Sequence, residues 1–305
     1  MNQIKLALDW TPNVNHIGFF IAKEMGFYAQ FDINLEILNP ADDNYQTTPG
    51  KKLENNSADF AITPFETVIS LNNKKNKVNA LAVYAIFQKD LSCIATLETS
   101  KLISPKDLDH KMYASYKARY EDFIVKQMVI NDKGKGDIKV VYPEKLGIWN
   151  TLLEDKADAT WIFDNWEGIE ASSNDIKLNK FVLADYGIPY GYSPILITKQ
   201  EHVILRNSEY VNFIKATKQG YLFAQENLTK SVSILKKYVT KRDLERIDLE
   251  KSIQMSSDYF GNQLTCGKME QEKVDSFLNW LVENNIEDRV ILEQKLFTNE
   301  LITHP

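Results

Sequence analysis

Hydrophobic and polar positions along the first 90 residues follow two different periods. Alternating apolar positions predict strands at 4–10 and 33–40, a short strand is predicted at 60–64, and an apolar run predicts a buried strand at 78–87. Stretches with a helical period lie between them, at 16–28, in the middle of 47–59 and at 66–75. Strands that alternate with helices predict parallel βαβ units with right-handed crossovers. The first part of the chain is therefore expected to be an α/β unit.

A second stretch of the chain repeats this alternation. Further strands are predicted at 92–98, 111–116, 139–143, 158–164 and 180–186. Helices are predicted between them at 120–132 and 146–156. From residue 208 to 295 the pattern is mostly that of amphipathic helices, without a convincing strand.

The order of these elements predicts two α/β lobes with a ligand cleft between them and a helical C-terminal region. Lobe 1 is expected to comprise residues 1–90 together with 194–305, and lobe 2 residues 91–193. The chain would then cross between the lobes twice, near 88–93 and near 188–195. At 305 residues it is long enough for two such cores.

The net charge and the hydropathy of the chain indicate whether nucleic acids or membranes are expected as partners. The net charge is −6, and the Lys-rich stretches at 72–77 and 131–137 are short and mixed with Asn, Gly and Asp, so a nucleic-acid partner is not expected. No run of about 18 apolar residues predicts a membrane span. The sequence as written starts without a signal peptide, which predicts a cytoplasmic protein. If a leader was removed, a periplasmic or lipid-anchored protein is expected instead. The oligomeric state is left open.

The sequence contains few residues suited to metal binding or covalent catalysis. Cys93 and Cys266 are far apart, and none of the four histidines has the spacing of a metal ligand, so no metal and no cofactor are expected. No nucleophile elbow, zinc-protease motif or phosphate-binding Walker loop is present. This favours a binding function over a catalytic one.

Candidate ligand-binding residues come from the loops that follow the predicted strands, because ligands of α/β sheets bind at the carboxyl ends of strands. The residues singled out there are Trp10, Asn13, His16, Thr63, Glu66, Ser115, Tyr116, Trp166, Glu167 and Tyr190. The set is rich in aromatic rings, amides and carboxylates, and its loops add only Lys117 and Arg119 as cations. A flat, neutral or weakly basic heteroaromatic ligand fits such a set, since rings stack and carboxylates accept hydrogen bonds from amines.

Each of these residues also has a purely structural interpretation. Trp10 is suited to a core position at a strand end, and His16 to capping the helix that follows. Glu66 is favourable at a helix N-terminus because of the helix dipole. The aromatic cluster around Trp166, with Trp161 and Phe163, is compatible with packing alone.

Four segments together resemble the NMT1/THI5-like family. They are LDWTPNVNHIGFFIAKEMGFYAQFDINLEIL at 8–38, ADFAIT at 58–63, DATWIFDNWEGIEA at 158–171 and YSPILITKQ at 192–200. The family includes periplasmic binding proteins for thiamin pyrimidine precursors and fungal pyrimidine synthases. The resemblance implies a type II periplasmic-binding-protein fold and an aminopyrimidine ligand. It also implies that Trp10 stacks on the ligand and that Glu167 contacts it, with Phe163 standing where an aromatic residue is often Tyr.

Two functions follow from the resemblance. The first is a binding protein for hydroxymethylpyrimidine or formylaminopyrimidine in thiamin salvage or uptake, with an ABC permease as a further partner. The alternative is a cytoplasmic pyrimidine synthase or pyrimidine-processing enzyme that uses pyridoxal phosphate and iron. Three departures weigh against the synthase: Glu66 lies about where a His is expected without a Lys beside it, Cys93 is isolated, and 115–120 has SYKARY in place of a glycine-containing phosphate loop. A family member with a changed ligand is a third possibility.

Overall fold

The chain divides into two compact units. The computed structural model describes residues 1–143 and 148–303. The first unit comprises Met1–Asp90, Tyr192–Val274 and Val290–Pro305, and the second comprises Leu91–Gly191 and Asp275–Arg289. The predicted lobe boundaries differ in placing 275–289 with lobe 1. That segment groups with the second unit because Phe277 contacts Tyr190 at a ring-centroid distance of 5.5 Å and Trp280 contacts Phe123 at 5.8 Å.

Strands and helices alternate, which confirms the α/β class. The strands of the described residues are β1 Asn2–Ala7, β2 Ile33–Leu38, β3 Phe60–Thr63, β4 Ala80–Ala85, β5 Ser92–Leu97, β6 Met112–Ala114, β7 Lys139–Val141, β8 Ala159–Phe163, β9 Leu178–Val182 and β10 Ile195–Lys199. The helices are α1 Ile17–Glu24, α2 Pro49–Glu54, α3 Glu66–Asn72, α4 Glu121–Asn131, α5 Ile148–Leu153, α6 Ile169–Ser173, α7 Gln200–Leu205, α8 Asn207–Glu226, α9 Leu228–Leu235, α10 Lys241–Arg246, α11 Leu249–Ser257, α12 Gln271–Glu283 and α13 Glu300–Thr303.

Each unit contains a five-stranded mixed sheet, and the two sheets have the same arrangement. The order is β2-β1-β3-β10-β4 in the first unit and β7-β6-β8-β5-β9 in the second. The first three strands of each sheet are parallel, as the alternation with helices predicts. The fourth strand of each sheet, β10 or β5, pairs antiparallel with both neighbours. These two strands are the ones that enter each unit directly after a crossing between the units.

The core of the first unit is built around helices α1 and α8. Residues 17–22 of α1 are buried on every face of the helix, which is typical of a core helix. The two helices approach closely at glycine: a Cβ on Gly220 would lie 2.0 Å from the carbonyl oxygen of Gly18. Around them, Phe213 stacks on Phe60 at 4.5 Å and on Tyr28 at 5.2 Å. Phe60 of β3 is therefore packed directly against α8.

Several predicted element boundaries were wrong. The strand expected at 180–186 ends at Val182, and Leu183–Tyr186 forms a single 3₁₀ turn. The helix predicted at 16–28 ends at Glu24, whereas the helix predicted in the middle of 47–59 is confirmed as α2, which the Thr48 hydroxyl caps. Of the helix predicted at 146–156, residues 146–147 lie outside the described residues. Within residues 1–143 and 148–303, none of the helices combines the length and apolarity that a membrane crossing requires.

Candidate ligand-binding residues

The loop after β1 presents Trp10 at the carboxyl end of the first sheet. Trp10 is half-buried, and its ring lies tilted against Tyr45 at a centroid distance of 5.5 Å. Tyr45 is itself 45% exposed. An indole that is fixed on one side and partly open to solvent can offer its remaining surface to a flat ligand.

The rest of this loop is held by Asn13 and His16, which are almost completely buried. The Asn13 backbone N–H donates to His16 Nδ1 at 3.2 Å, so the proton of the neutral ring lies on Nε2 and is donated to Asp9 at 2.8 Å. The Asn13 side chain accepts from the Asn15 N–H at 2.8 Å and donates to the Thr11 carbonyl at 3.0 Å. These contacts use the polar atoms of both side chains within the loop and give them a supporting role beside Trp10.

Thr63 and Glu66 lie where β3 leads into α3. Both are 3% exposed. The Thr63 hydroxyl makes no hydrogen bond to any residue in the described ranges, and an unsatisfied buried hydroxyl costs about 1–3 kcal/mol. Glu66 is the first residue of α3, where the helix dipole favours a carboxylate. Thr63 is therefore a buried polar group that a ligand could satisfy.

In the second unit, the loop after β6 is organised by a residue that the sequence analysis did not single out. Glu121 is 1% exposed and begins α4. Its carboxylate accepts hydrogen bonds from the Tyr113 hydroxyl at 2.6 Å, the Tyr116 N–H at 2.9 Å and the Ala118 N–H at 3.1 Å. Ser115 is buried, and its hydroxyl oxygen accepts from the Lys117 N–H at 3.0 Å. The backbone N–H groups of this loop thus point inward to the buried carboxylate of Glu121.

The pKa of Tyr116, in this loop, is influenced by the carboxylate of Glu167. Its pKa is raised well above the ordinary value, first by burial and then by the negative charges of Glu167 and Glu121. The pKa of Glu121 is raised as well, because burial outweighs the hydrogen bonds from Tyr113, Tyr116 and Ala118. The Tyr116 N–H contacts Glu121 directly, and Tyr116 and Glu167 follow the adjacent parallel strands β6 and β8, at the same edge of the sheet.

Glu167 lies in the single π-helical turn Asp164–Gly168 that follows β8. One of its carboxylate oxygens accepts the backbone N–H of Phe163 at 2.9 Å, which fixes the orientation of the side chain. Phe163 and Glu167 are half-buried, whereas Trp166 is 5% exposed. The burial of Trp166 is that of a packing residue, and Phe163 and Glu167 keep partly accessible surface.

Tyr190 belongs to an aromatic cluster of the second unit. Its ring meets Trp161 edge-on at 5.4 Å and Phe277 edge-on at 5.5 Å. Phe277 and Trp280 were not among the candidates, because they lie in the helical C-terminal region, where apolar periodicity indicates only a packed helix face.

The two cationic side chains of the loop after β6, Lys117 and Arg119, are both engaged by neighbouring side chains. The Lys117 ammonium lies over the Tyr142 ring, 4.8 Å from its centroid. The Arg119 guanidinium pairs with Glu287 and donates through Nε to the Tyr120 hydroxyl at 3.0 Å.

Metal-ligating side chains are scattered. Across residues 1–143 and 148–303, no group of three or more His, Cys, Asp and Glu side chains is arranged to hold a metal ion. Cys93 and Cys266 are both buried and belong to different units. Cys266 Sγ lies 3.0 Å from the Tyr84 hydroxyl, and burial raises the pKa of its thiol to about 11.

Comparisons with known proteins agree with this architecture. The sequence model described as NMT1/THI5 like matches residues 13–230. The formylaminopyrimidine-binding protein of Halalkalibacterium halodurans is 22% identical over 98% of this chain and 90% of its own length. A putative thiamine biosynthesis protein of Haemophilus influenzae is 24% identical over 74% of this chain and 70% of its own. The Candida albicans CA3427 gene product, described as having the generic periplasmic binding protein fold, superposes with a TM-score of 0.73 at 14% identity, covering 98% of this chain and 97% of its own. This confirms the predicted fold.

Proposed function

Because this chain belongs to the NMT1/THI5-like family, we propose that it is a binding protein for a thiamin pyrimidine precursor, of the formylaminopyrimidine or hydroxymethylpyrimidine type. The observation that carries the proposal is the placement of Tyr116 and Glu167 in the second unit, in the segments that follow the adjacent parallel strands β6 and β8. A carboxylate beside aromatic side chains is suited to an aminopyrimidine, which offers N–H donors in the plane of a stacking ring. The pyrimidine-binding relative, 22% identical over nearly the whole chain, supports this choice of ligand.

In this proposal, Trp10, Glu167 and Thr63 each make a different contact with the ligand. Trp10 offers a stacking surface that Tyr45 supports from one side. Glu167 is oriented by the Phe163 N–H and accepts from the exocyclic amine of the ligand. The Thr63 hydroxyl, which is buried without a protein partner in the described ranges, forms a further hydrogen bond with the ligand.

The alternative of a pyrimidine synthase needs pyridoxal phosphate and iron, and the residues do not fit the phosphate group. At the loop after β6, the amide donors of Tyr116 and Ala118 are occupied by the Glu121 carboxylate. After β3 the chain continues with Pro64, Phe65 and Glu66, without a lysine that could form a Schiff base. We therefore derive no reaction step for this chain.

A role in uptake adds a partner and a location to the proposal. A binding protein outside the cytoplasm would deliver the pyrimidine to an ABC permease, whereas a cytoplasmic one would serve salvage within the cell. Fractionation of cells that express the full-length gene with its native start separates the two. Recovery outside the cytoplasmic membrane supports uptake, and recovery only in the cytoplasm contradicts it.

The direct test is an isothermal titration with hydroxymethylpyrimidine and with formylaminopyrimidine. The protein is first unfolded and refolded, which removes ligand carried over from the cell. Binding with a Kd in the micromolar range or tighter is expected for at least one compound. If protein that is folded by circular dichroism gives no heat with either compound, the proposed ligand class is wrong.

Glu167→Gln tests the named acceptor. The substitution keeps the size of the side chain but replaces one carboxylate oxygen by an N–H₂ donor, so ligand binding should weaken by about 1–3 kcal/mol. Glu98→Gln is a matched control, since Glu98 is exposed in the same unit and forms only a 3.9 Å ion pair with Lys177. Unchanged affinity in Glu167→Gln removes Glu167 from the site.

A further inference from the structure

The loop after β6 resembles an anion-binding loop, but the anion that its N–H groups bind is the carboxylate of Glu121 from the same chain. Lys117 adopts a left-handed conformation with φ of +62°, and the N–H groups on either side of it, of Tyr116 and Ala118, both donate to Glu121. The Tyr113 hydroxyl donates to the same carboxylate, and the Lys117 N–H donates to Ser115. An incoming anion would have to displace the carboxylate in order to use these donors.

The side chains around the loop also disfavour an anion. Lys117 and Arg119 are engaged with Tyr142 and with Glu287, as described above. By contrast, the Glu121 carboxylate contacts the Tyr116 N–H, Glu167 follows the neighbouring strand β8, and both carboxylates raise the pKa of Tyr116. The electrostatic environment of Tyr116 is therefore negative, which favours a neutral or cationic ligand group and opposes an anionic one.

From this geometry we infer that Glu121 determines the charge of the ligand: it fills the amide donors of the loop, so that the protein accepts an unphosphorylated pyrimidine and rejects the phosphate ester. The inference rests on the proposed function, because it assumes that Tyr116 and Glu167 contact the pyrimidine. Glu121 acts as a specificity-determining residue through the loop, without touching the ring of the ligand.

The first experiment compares hydroxymethylpyrimidine with its phosphate monoester on the wild-type protein by titration. The ester should bind at least about 100-fold more weakly, because its phosphate meets the Glu121 and Glu167 carboxylates and the loop amides already donate to Glu121. Equal affinity for the two compounds would overturn the inference without any variant.

The second experiment uses Glu121→Ala, which frees the donors of the loop. The ratio of the two dissociation constants, ester over neutral pyrimidine, should fall at least about tenfold relative to wild type. Asp122→Asn is the matched control: it removes a negative charge at the next residue, which contacts the Tyr142 hydroxyl and not the loop amides. A ratio that stays at the wild-type value in folded Glu121→Ala, or that falls equally in Asp122→Asn, contradicts the role of Glu121.

A measurement with inorganic phosphate separates this inference from the proposed function. If neither pyrimidine binds to folded wild type, the proposed function fails, but the state of the loop can still be tested by thermal unfolding with and without phosphate. Phosphate should raise the Tm of Glu121→Ala by several degrees more than that of wild type and of Asp122→Asn. If Glu121→Ala does not fold in buffer, it should refold in phosphate. The absence of any phosphate effect specific to this variant would overturn the inference.

Discussion

The loops after β1 and after β6 occupy the same position in two equivalent sheets but are held by different chemistry. Each follows a strand that lies between two parallel neighbours, and each leads into a helix. In the first unit the loop is fixed by Asn13 and by the His16–Asp9 hydrogen bond. In the second unit the loop amides converge on the buried carboxylate of Glu121.

The difference shows how one topology can present two kinds of surface. The His16 imidazole and the Asn13 amide hold the first loop beside the half-buried indole of Trp10, and the carboxylate there is that of Asp9. A buried carboxylate holds the second loop and contacts the Tyr116 N–H. In both loops, backbone N–H groups that precede the helix donate to side chains of the same loop or of that helix.

Of the substitutions that test this comparison, the replacement of Glu121 should lower the free energy of unfolding most. Glu121→Ala leaves two backbone N–H groups and the Tyr113 hydroxyl without their acceptor, and should lower the free energy of unfolding by about 3 kcal/mol. Urea denaturation monitored by tryptophan fluorescence measures the loss. Asp122→Asn should stay within about 0.5 kcal/mol of wild type. A similarly small loss in Glu121→Ala would show that water satisfies the loop and that Glu121 does not organise it.

Replacing His16, which holds the loop of the first unit, should lower the free energy of unfolding less than replacing Glu121. His16→Leu keeps an apolar volume in a fully buried position but removes the acceptor for the Asn13 N–H and the donor for Asp9. Asp9 is partly exposed and can be rehydrated, so a loss of about 2 kcal/mol is expected, together with weaker ligand binding as Trp10 loses its support. Asp9→Asn keeps an acceptor oxygen and should lose less. If His16→Leu is as stable as wild type, the ring does not hold the loop.

The contrast between the two loops marks the limit of what the sequence could predict. The Thr-Pro-Asn turn and Trp10 pointed to the first loop because turn residues and an aromatic side chain carry a local signal. Glu121 was missed because a glutamate at the first position of a helix is ordinary, and the convergence of amides on it depends on Lys117 adopting a left-handed conformation. The antiparallel insertion of β5 and β10 was also missed, since it joins segments that are far apart in the chain.

A buried hydrogen bond connects the first loop with helix α8. The Tyr221 hydroxyl of α8 donates to the Asn15 carbonyl at 2.7 Å, and both groups are buried. Tyr221→Phe should therefore lower the free energy of unfolding by about 1 kcal/mol, measured by denaturation as above. Tyr259→Phe is a suitable control, because the Tyr259 hydroxyl makes no hydrogen bond within the described part of the chain. Equal stability of the two variants would show that this bond adds nothing to the loop.

Thr63→Val should cost no stability and separates fixed polar groups from those available to a ligand. Because the Thr63 hydroxyl is buried without a partner among the described residues, its replacement by a methyl group removes an unsatisfied polar group and should raise the free energy of unfolding of the ligand-free protein by about 1 kcal/mol. Affinity for the pyrimidine should nevertheless fall by about 1 kcal/mol, since the ligand loses a hydrogen bond. Thr198→Val should behave in the opposite way: the Thr198 hydroxyl donates to the Asp59 carbonyl at 2.7 Å, so this variant should lose stability and keep its affinity. If Thr63→Val loses stability without losing affinity, the hydroxyl serves the fold, and the ligand-binding residues of the first unit reduce to those around Trp10.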